Sequence, residues 1–310
     1  MFSINTMATL SVRTRLFKLI LRLIQRKRIY SSIPHLMSGI AQTRREGPAR
    51  PSSKMYEQLD VRCESMEGCE VYTLQPRSCP ADVKTVLYLH GGAYCRPITR
   101  YHWSLLQWLV KHLACRVVVP LYPLAPENVC RDAVQAVLQI HQKVVDRHGP
   151  ISALMGDSAG AGLSLALCQE LRAANSTLPG RLVLITPGVE ATLQNSAIAQ
   201  TEPHDLMLGA VGAREAMRLY AGELGSEHPW VSPLHADLRG LPPMQIFVAT
   251  DDILSHDAIL FAAKAREANC TVELHIAEGM MHVWPLLPLP EAEESRVAIG
   301  AFLKRDTFGQ

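Results

Sequence analysis

The sequence predicts an α/β protein with a mostly parallel central sheet flanked by helices. Short apolar runs rich in β-branched residues alternate with longer segments of helical periodicity, and this alternation is typical of parallel sheets. Of the 310 residues, 48% are hydrophobic and 19% are charged, so the chain can bury a large core, which excludes a disordered or fibrous protein. The net charge of +2 argues against a basic surface that binds nucleic acid.

The predicted strands and helices follow one another along the chain. Strands are expected at residues 84–89, 116–120, 151–155, 181–185 and 245–249. Helices are expected at residues 128–147, 160–174, 256–269 and 290–304. Residues 68–74 and 271–277 alternate between apolar and polar positions, and we predict that they add edge strands.

One long segment, residues 186–243, breaks this alternation. It contains a loop rich in Thr, Glu and Asn, followed by a helical pattern around residues 206–222. Ligands of open parallel sheets bind beyond the carboxyl ends of the strands. We therefore predict that this insertion and an amino-terminal helix form a cap over that edge of the sheet.

The amino terminus is strongly basic. Residues 1–50 hold ten Lys and Arg but one acid, Glu46, so residues 51–310 carry a net charge of −7. The basic residues at positions 13, 15, 18, 22 and 26 are interleaved with apolar ones, which predicts an amphipathic helix. Its apolar runs are too short for a membrane span or a secretory signal.

Three interpretations of this helix are open. Its apolar face can pack on the rest of the protein; that face comprises Leu16, Phe17, Ile20, Leu21 and Ile24. The Arg-rich segment, followed by Ser31 and Ser32, also resembles an organelle transit peptide. A third interpretation is docking on an anionic membrane surface.

The sequence offers no support for a disulfide framework or a zinc site. The eight cysteines are scattered and form no C-x-x-C pair, and the 12 histidines form no H-E-x-x-H motif. We therefore expect free thiols and no structural or catalytic metal.

The strongest local motif is Gly156-Asp157-Ser158-Ala159-Gly160, a G-x-S-x-G pentapeptide. It follows a predicted strand and precedes a predicted helix, which is the setting of a nucleophile elbow. The turn is tight, and this explains glycine at positions 156 and 160. Ser158 is therefore the candidate nucleophile, and the amide of Ala159, which opens the next helix, is a candidate donor to an oxyanion.

A serine nucleophile needs a base and a carboxylate that orients the base. In an elbow fold these groups follow the serine in the order acid, then histidine. Predicted strand 245–249 leads into Asp251 and Asp252, and predicted strand 271–277 leads into a loop that contains His282. Either aspartate is a candidate acid, and His282 is the candidate base.

A second glycine-containing segment follows predicted strand 84–89. It reads His90-Gly91-Gly92-Ala93, and consecutive glycines allow backbone N–H groups to approach a tetrahedral oxyanion. Gly91, Gly92 and Ala93 are therefore candidate oxyanion donors that complement Ala159.

With these motifs, residues 84–304 resemble the hormone-sensitive-lipase-like branch of α/β-hydrolase carboxylesterases. Tyr122-Pro123-Leu124-Ala125-Pro126-Glu127 is similar to a further segment of that family. The resemblance implies Ser158 as nucleophile, His282 as base, Asp252 as the orienting acid and no cofactor. The chain departs from the family pattern at Ala93, which replaces a glycine, and at Pro123, which replaces an arginine.

The function expected from these observations is hydrolysis of carboxylic esters of short to medium acyl chain through an acyl-enzyme. The same residues would also serve a lactone hydrolase, a thioesterase or an acyltransferase, and a fold of this kind that lost its base would be a ligand receptor. We expect a confined pocket for a small-molecule ester. Its expected lining is Met155, Met207, Met280, Met281 and Trp284.

Two domains are expected: a cap helix and irregular connector at residues 1–55, with the connector from residue 31, and a catalytic α/β-hydrolase domain at residues 56–310. The cytoplasm is the expected location, with an organelle as the alternative. A membrane surface that binds the basic helix and a second copy of the chain are the macromolecular partners left open.

Overall fold

The computed structural model describes residues 10–80 and 83–305, and its centre is an eight-stranded sheet. The strands are β1 (Asp60–Met66), β2 (Cys69–Gln75), β3 (Thr85–Leu89), β4 (Arg116–Pro120), β5 (Ala153–Asp157), β6 (Leu182–Ile185), β7 (Met244–Asp251) and β8 (Val272–Met281). Their order is β1-β2-β4-β3-β5-β6-β7-β8. β2 runs antiparallel to β1 and β4, and every other neighbouring pair is parallel. The predicted fold class is confirmed.

Helices cover both faces of the sheet. They are α1 (Val12–Leu23), α2 (Ile33–Glu46), α3 (Ser53–Gln58), α4 (Arg100–Leu113), α5 (Cys130–His148), α6 (Ala159–Ala173), α7 (Ile198–Thr201), α8 (Ala210–Ala221), α9 (Ser255–Glu267) and α10 (Pro290–Lys304). A short 3₁₀ helix, Arg26–Tyr30, joins α1 to α2. No helix in the described ranges is long and apolar enough to cross a membrane.

The central strands are apolar along their whole length because both faces of the sheet are covered. Every residue of β3, β4, β5 and β6 is buried. Successive residues of β3 point to opposite faces, so that Leu87 and Leu89 join one core and Val86 and Tyr88 join the other. A continuous apolar run is therefore the correct sequence signal for these strands.

The prediction of an irregular connector at residues 31–55 is wrong, because α2 and the start of α3 make much of this segment helical. Ser32 caps α2 by accepting from the amide of His35, and Pro34 lies in the first turn, where its missing N–H is not needed. Leu36 and Ile40 are buried one turn apart. Ser, Pro and Gly thus mark the ends of a helix here, whereas their abundance in the sequence had suggested a loop.

The predicted edge strand at residues 68–74 is also placed differently. β1, which the sequence analysis did not identify, pairs with β2 through a hairpin that turns at Gly68, and β1 forms the edge. β1 was missed because most of its residues are polar and only Met66 is buried, so it lacks the apolar signal of the inner strands. The other predicted edge strand corresponds to β8, which does lie at the edge of the sheet.

The amino-terminal helix α1 packs with only part of the apolar face that the sequence pattern predicts, namely Phe17 and Leu21. The inward side chains are Thr14, Phe17, Lys18 and Leu21, whereas Leu16 and Ile20 of the predicted packing face are 56% and 44% exposed. Polar contacts explain this orientation: the amide of Ser11 donates to Glu291 Oε1 at 2.7 Å, and the hydroxyl of Thr14 donates to Glu291 Oε2. Residues 1–9 of the predicted amino-terminal segment lie outside the described residues.

Candidate active site

Ser158 lies in a strained turn between β5 and α6. Its φ of 50° and ψ of −118° are unusual for a residue with a side chain, and its amide donates to Ile185 O at 2.8 Å. A Cβ on Gly156 would collide with the backbone of Gly160, and a Cβ on Gly160 would collide with the carbonyl oxygen of Leu89. The two glycines therefore permit both the sharp turn and the close approach of α6 to β3.

Three side chains from separate loops form one chain of hydrogen bonds. His282 Nδ1 lies 2.7 Å from Asp252 Oδ2, and its Nε2 lies 2.9 Å from Ser158 Oγ. An ionised carboxylate only accepts, so Nδ1 carries the hydrogen and Nε2 is left to accept from the serine hydroxyl. All three side chains are buried. The structure thus brings together the predicted nucleophile, base and acid.

The two adjacent aspartates have different partners. Asp252 Oδ2 contacts the histidine while its Oδ1 accepts from the amide of Leu254 at 3.0 Å. Asp251 instead accepts from Lys18 Nζ of α1 at 2.7 Å, and the same ammonium donates to Gly279 O. Asp252 therefore occupies the orienting position, and Asp251 anchors α1 beside it.

Nearby carboxylates hold the pKa of His282 above its ordinary value of 6.5. Burial is the largest influence and lowers this pKa, but the contact with Asp252 and the charges of Asp205 and Asp157 together outweigh it. The imidazole is therefore a stronger base than an isolated buried histidine, as proton transfer from a hydroxyl requires.

The prediction that Gly91 is an oxyanion donor is wrong. Its amide donates to Asp157 Oδ1 at 2.9 Å, so it is not free for a substrate. The amides of Gly92, Ala93 and Ala159 have no acceptor in the described part of the chain. Gly92 and Ala93 both have positive φ and both line the cavity beside Ser158.

The side chain of Asp157 holds the glycine loop, residues 90–93, in place through hydrogen bonds. Besides the Gly91 amide, its Oδ1 accepts from the hydroxyl of Tyr88 at 2.6 Å, and its Oδ2 lies 3.3 Å from His102 Nε2. Although burial opposes ionisation, these contacts keep the pKa of Asp157 below its ordinary value. The carboxylate in the elbow motif therefore stays charged and holds the glycine loop.

The remaining motif residue, His90, is a packing and hydrogen-bonding residue of the same loop. Its ring stacks on Tyr122 with centroids 4.5 Å apart, and the hydroxyl of Tyr122 donates to the carbonyl oxygen of His90. Burial, with the nearby His102, lowers the pKa of His90 to about 4, so its ring is neutral at pH 7.

Asp205, in the insertion, is a site residue that the sequence analysis missed. Its Oδ2 accepts from the amide of Ile253 at 2.9 Å, and its Oδ1 accepts from the amides of Met207 and Leu208. Burial and the charge of Asp252 raise the pKa of Asp205 to about 6. It ties the cap insertion to the loop that carries Asp252, and no motif in the sequence marks it.

A cavity of about 590 Å³ opens beside Ser158 and His282. α1 contributes Phe17 and Leu21 to its wall, and the insertion contributes Met207 and Leu208. The predicted lining is otherwise wrong: Met155, Met280, Met281 and Trp284 are buried in the core under the sheet and do not line this cavity. Met155 lies on β5 and Met280 and Met281 lie on β8, and these side chains pack in the core on one face of the sheet.

No group of three His, Cys, Asp or Glu side chains in residues 10–80 and 83–305 is arranged to hold a metal ion. The eight cysteines are free thiols, and six of them are buried.

Comparisons with known proteins agree with this geometry. A family model described as alpha/beta hydrolase fold matches residues 86–286. The chain is 31% identical over 237 residues to an acetyl-hydrolase of Streptomyces hygroscopicus, covering 74% of this chain and 79% of the relative. It is 30% identical over 257 residues to an esterase of Acinetobacter venetianus, covering 81% and 83%. A solved hormone-sensitive lipase from a metagenome library superposes with a TM-score of 0.80 at 26% identity, covering 94% of this chain and 97% of that one.

Proposed function

The chain belongs to the α/β-hydrolase fold family, in its hormone-sensitive-lipase-like carboxylesterase branch, and from this premise we propose how it acts as a serine carboxylic ester hydrolase. Ser158 is the nucleophile, His282 the base and Asp252 the acid that orients the base. The observation that carries this assignment is the continuous hydrogen-bond chain from Asp252 through His282 to Ser158.

In the acylation step, Ser158 Oγ attacks the ester carbonyl carbon while His282 Nε2 takes the hydroxyl proton. The carbonyl oxygen becomes an oxyanion that accepts from the amides of Gly92, Ala93 and Ala159. His282 then gives the proton to the departing alcohol, and the acyl group stays on Ser158. Asp252 stabilises the imidazolium and keeps Nε2 directed at the serine.

In the deacylation step, water replaces the alcohol. His282 takes a proton from the water as the oxygen attacks the acyl carbon, and the same amides stabilise the second oxyanion. Collapse returns the proton to Ser158 and releases the carboxylic acid. Lactones and thioesters pass through the same acyl-enzyme, and an alcohol in place of water would give acyl transfer.

We expect acyl chains of about two to eight carbons to be preferred, because a closed apolar pocket gains about 0.8 kcal/mol per buried methylene only until its wall is reached. Phe17, Leu21 and Met207 supply that wall. The test measures kcat/KM for a graded series of 4-nitrophenyl esters, with small lactones and a thioester included. A rate that rises continuously to sixteen carbons would contradict the confined pocket.

The nucleophile is tested by Ser158→Ala, which should remove nearly all ester hydrolysis without added metal because the three residues act as a unit. Ser164→Ala is the matched control, since this buried serine of α6 donates to the carbonyl oxygen of Gly160 and does not line the cavity. Full activity in Ser158→Ala would overturn the mechanism.

A contact with an anionic membrane surface through α1 belongs to the same proposal. Six apolar side chains spaced along one stripe of the helix are exposed: Val12, Leu16, Leu19, Ile20, Leu23 and Ile24. Arg13, Arg15 and Arg22 are exposed beside them. A basic helix with an unpartnered apolar stripe has the chemistry of an interfacial helix. The cytoplasm remains the proposed location, with an organelle as the alternative.

Co-flotation with phosphatidylcholine vesicles, with and without phosphatidylglycerol, tests this contact. We expect binding to the anionic vesicles and its loss in the double variant Leu16→Ser/Leu23→Ser. The control Val211→Ser/Val297→Ser replaces two exposed valines on α8 and α10 and should bind normally. Absence of binding together with a Leu16- and Leu23-dependent dimer would instead assign the stripe to a second copy of the chain.

A further inference from the structure

Two arginines from distant parts of the chain line the cavity beside Ser158. Arg26 belongs to the 3₁₀ helix after α1, and Arg96 follows the glycine loop. The amide of Arg96 donates to the carbonyl oxygen of Gly92 at 2.9 Å, so its position is tied to the loop that carries two oxyanion donors. The cap and the catalytic domain thus each contribute one guanidinium to the substrate cavity.

Neither arginine has the partner that a partly buried guanidinium normally requires. No carboxylate in the described residues pairs with Arg26 or Arg96, and Nη1 of each is buried without a hydrogen-bond acceptor. The two groups also repel each other: burial lowers the pKa of Arg26, and the charge of Arg96 lowers it further. Unpaired buried charges and orphaned donors are unfavourable, so an anion that accepts from both guanidinium groups would stabilise this arrangement.

The acids of the cavity wall do not supply that anion. Asp157 holds the glycine loop, and Glu46 accepts from the side-chain amide of Gln42 at 2.7 Å on the exposed side of α2. Arg100, also at the wall, is exposed and donates to the hydroxyl of Tyr101. The cavity therefore carries an excess of positive charge, which favours an anionic ligand.

We propose that the ester substrate carries an anionic group, a carboxylate or a phosphate, that binds to Arg26 and Arg96. The inference rests on the proposed ester hydrolysis and deepens it by naming a substrate class. Guanidinium groups match both anions through paired N–H donors. The anion would also link the cap to the glycine loop, so that binding of the correct substrate would hold the cavity closed around the ester.

Matched substrate pairs test this proposal on the wild-type enzyme. For the acyl side, the mono-4-nitrophenyl ester of glutaric acid is compared with its methyl ester. For the alcohol side, 4-carboxyphenyl butyrate is compared with 4-carbamoylphenyl butyrate. We expect the anionic member of at least one pair to have the higher kcat/KM. Competition by glutarate and by inorganic phosphate against neutral 4-nitrophenyl butyrate then distinguishes a carboxylate from a phosphate site.

Charge-conserving and charge-removing variants complete the test. Arg96→Gln and Arg26→Gln should each lower the ratio of kcat/KM for the anionic ester to kcat/KM for the neutral ester about tenfold to a hundredfold, while Arg26→Lys should retain part of the preference. Arg28→Gln, which removes an exposed charge from the same 3₁₀ helix as Arg26, is the control and should change neither rate.

The proposal is overturned if the wild-type enzyme favours the neutral member of both pairs. It is also overturned if Arg96→Gln lowers kcat/KM for the anionic ester and for the neutral ester by the same factor. Either result leaves the hydrolase mechanism standing. Failure of the wild-type enzyme to hydrolyse 4-nitrophenyl butyrate would instead contradict the proposed function itself.

Discussion

At the residue scale, the adjacent carboxylates Asp251 and Asp252 show how position at a strand end separates two roles. Asp251 is the last residue of β7, and its side chain reaches outward to Lys18. Asp252 begins the loop, is almost completely buried and contacts His282. One peptide step therefore separates an aspartate that anchors α1 from the aspartate that contacts His282.

Asparagine substitution at each position separates these roles. Asp252→Asn should reduce kcat about 10⁴-fold, because the amide no longer selects the histidine tautomer that accepts from serine. Asp251→Asn, its matched control, loses a partly exposed ion pair and should change kcat less than about fivefold. The measurement is steady-state hydrolysis of 4-nitrophenyl butyrate, and a dead Asp251→Asn variant beside an active Asp252→Asn variant would reverse the assignment.

The pH dependence of the reaction follows from the raised pKa of His282. The base acts only when neutral, so activity is lost as the pH falls through this pKa, and the acid limb of kcat/KM should lie above pH 6.5. The charge of Asp205 contributes to the raised pKa, so Asp205→Asn should move the limb to lower pH. The control, Asp146→Asn on the exposed side of α5, should leave it in place. A wild-type limb below pH 6.5, or no movement in Asp205→Asn, would contradict this explanation.

At the element scale, α1 shows why an amphipathic pattern does not identify the buried face. Its apolar stripe faces outward, while Thr14, Lys18 and the backbone at Ser11 bind acids and a carbonyl oxygen of the catalytic domain. Hydrogen bonds to ionised partners are stronger than neutral ones, so a few polar contacts outweigh the burial of additional leucines. Phe17 and Leu21 then lie over the cavity because they are neighbours of Thr14 and Lys18 on the same face.

Deletion of residues 1–30 should therefore alter substrate selection. The deletion removes the part of the cavity wall made by Phe17 and Leu21, and we expect the preferred acyl chain to become longer. Solubility should also fall, because Tyr30 leaves an uncovered surface on Gly209 and Gly212 of the insertion. The chain-length series measures the effect. Unaltered kinetics, or a native chain that begins near residue 35, would favour the transit-peptide interpretation.

At the scale of the whole molecule, the parallel sheet assembles groups that are far apart in sequence. The loops after β3, β5, β7 and β8 leave the same edge, so that residues 90–93, Ser158, Asp252 and His282 meet there. The fold also buries two histidines, one directly after β3 and one on α5. His90 and His141 are buried, and burial lowers the pKa of each to about 4.

Acid should therefore destabilise the fold through these histidines. In the unfolded chain each binds a proton below about pH 6.5, whereas in the fold each stays neutral until about pH 4, so stability is full above pH 6.5 and is lost as the pH falls toward 4. His141→Leu, on α5, should reduce the loss of unfolding free energy between pH 7 and pH 5 by about 2 kcal/mol. Urea unfolding at both pH values measures it. The exposed His112→Leu is the control, and an equal acid sensitivity in wild type and His141→Leu would contradict the prediction.

The sequence by itself determined the class of fold and the position of the elbow. Continuous apolar runs report strands that are covered on both faces, and glycine at positions 156 and 160 reports a backbone turn that no side chain permits. The acid and histidine loops could be placed because each follows a strand that ends at the same edge of the sheet. These signals are local, so they can be read without knowledge of what packs against them.

Only the tertiary structure decided which groups pair. It directed the amide of Gly91 to Asp157, and it gave Asp251 and Asp252 different partners. It also turned the apolar stripe of α1 outward and placed Arg26 and Arg96 in one cavity. The physical reason is that a hydrogen bond or an ion pair depends on a partner that the chain brings from far away. A hydrophobic period identifies an apolar face, whereas the free energy of all competing contacts selects the face that is buried.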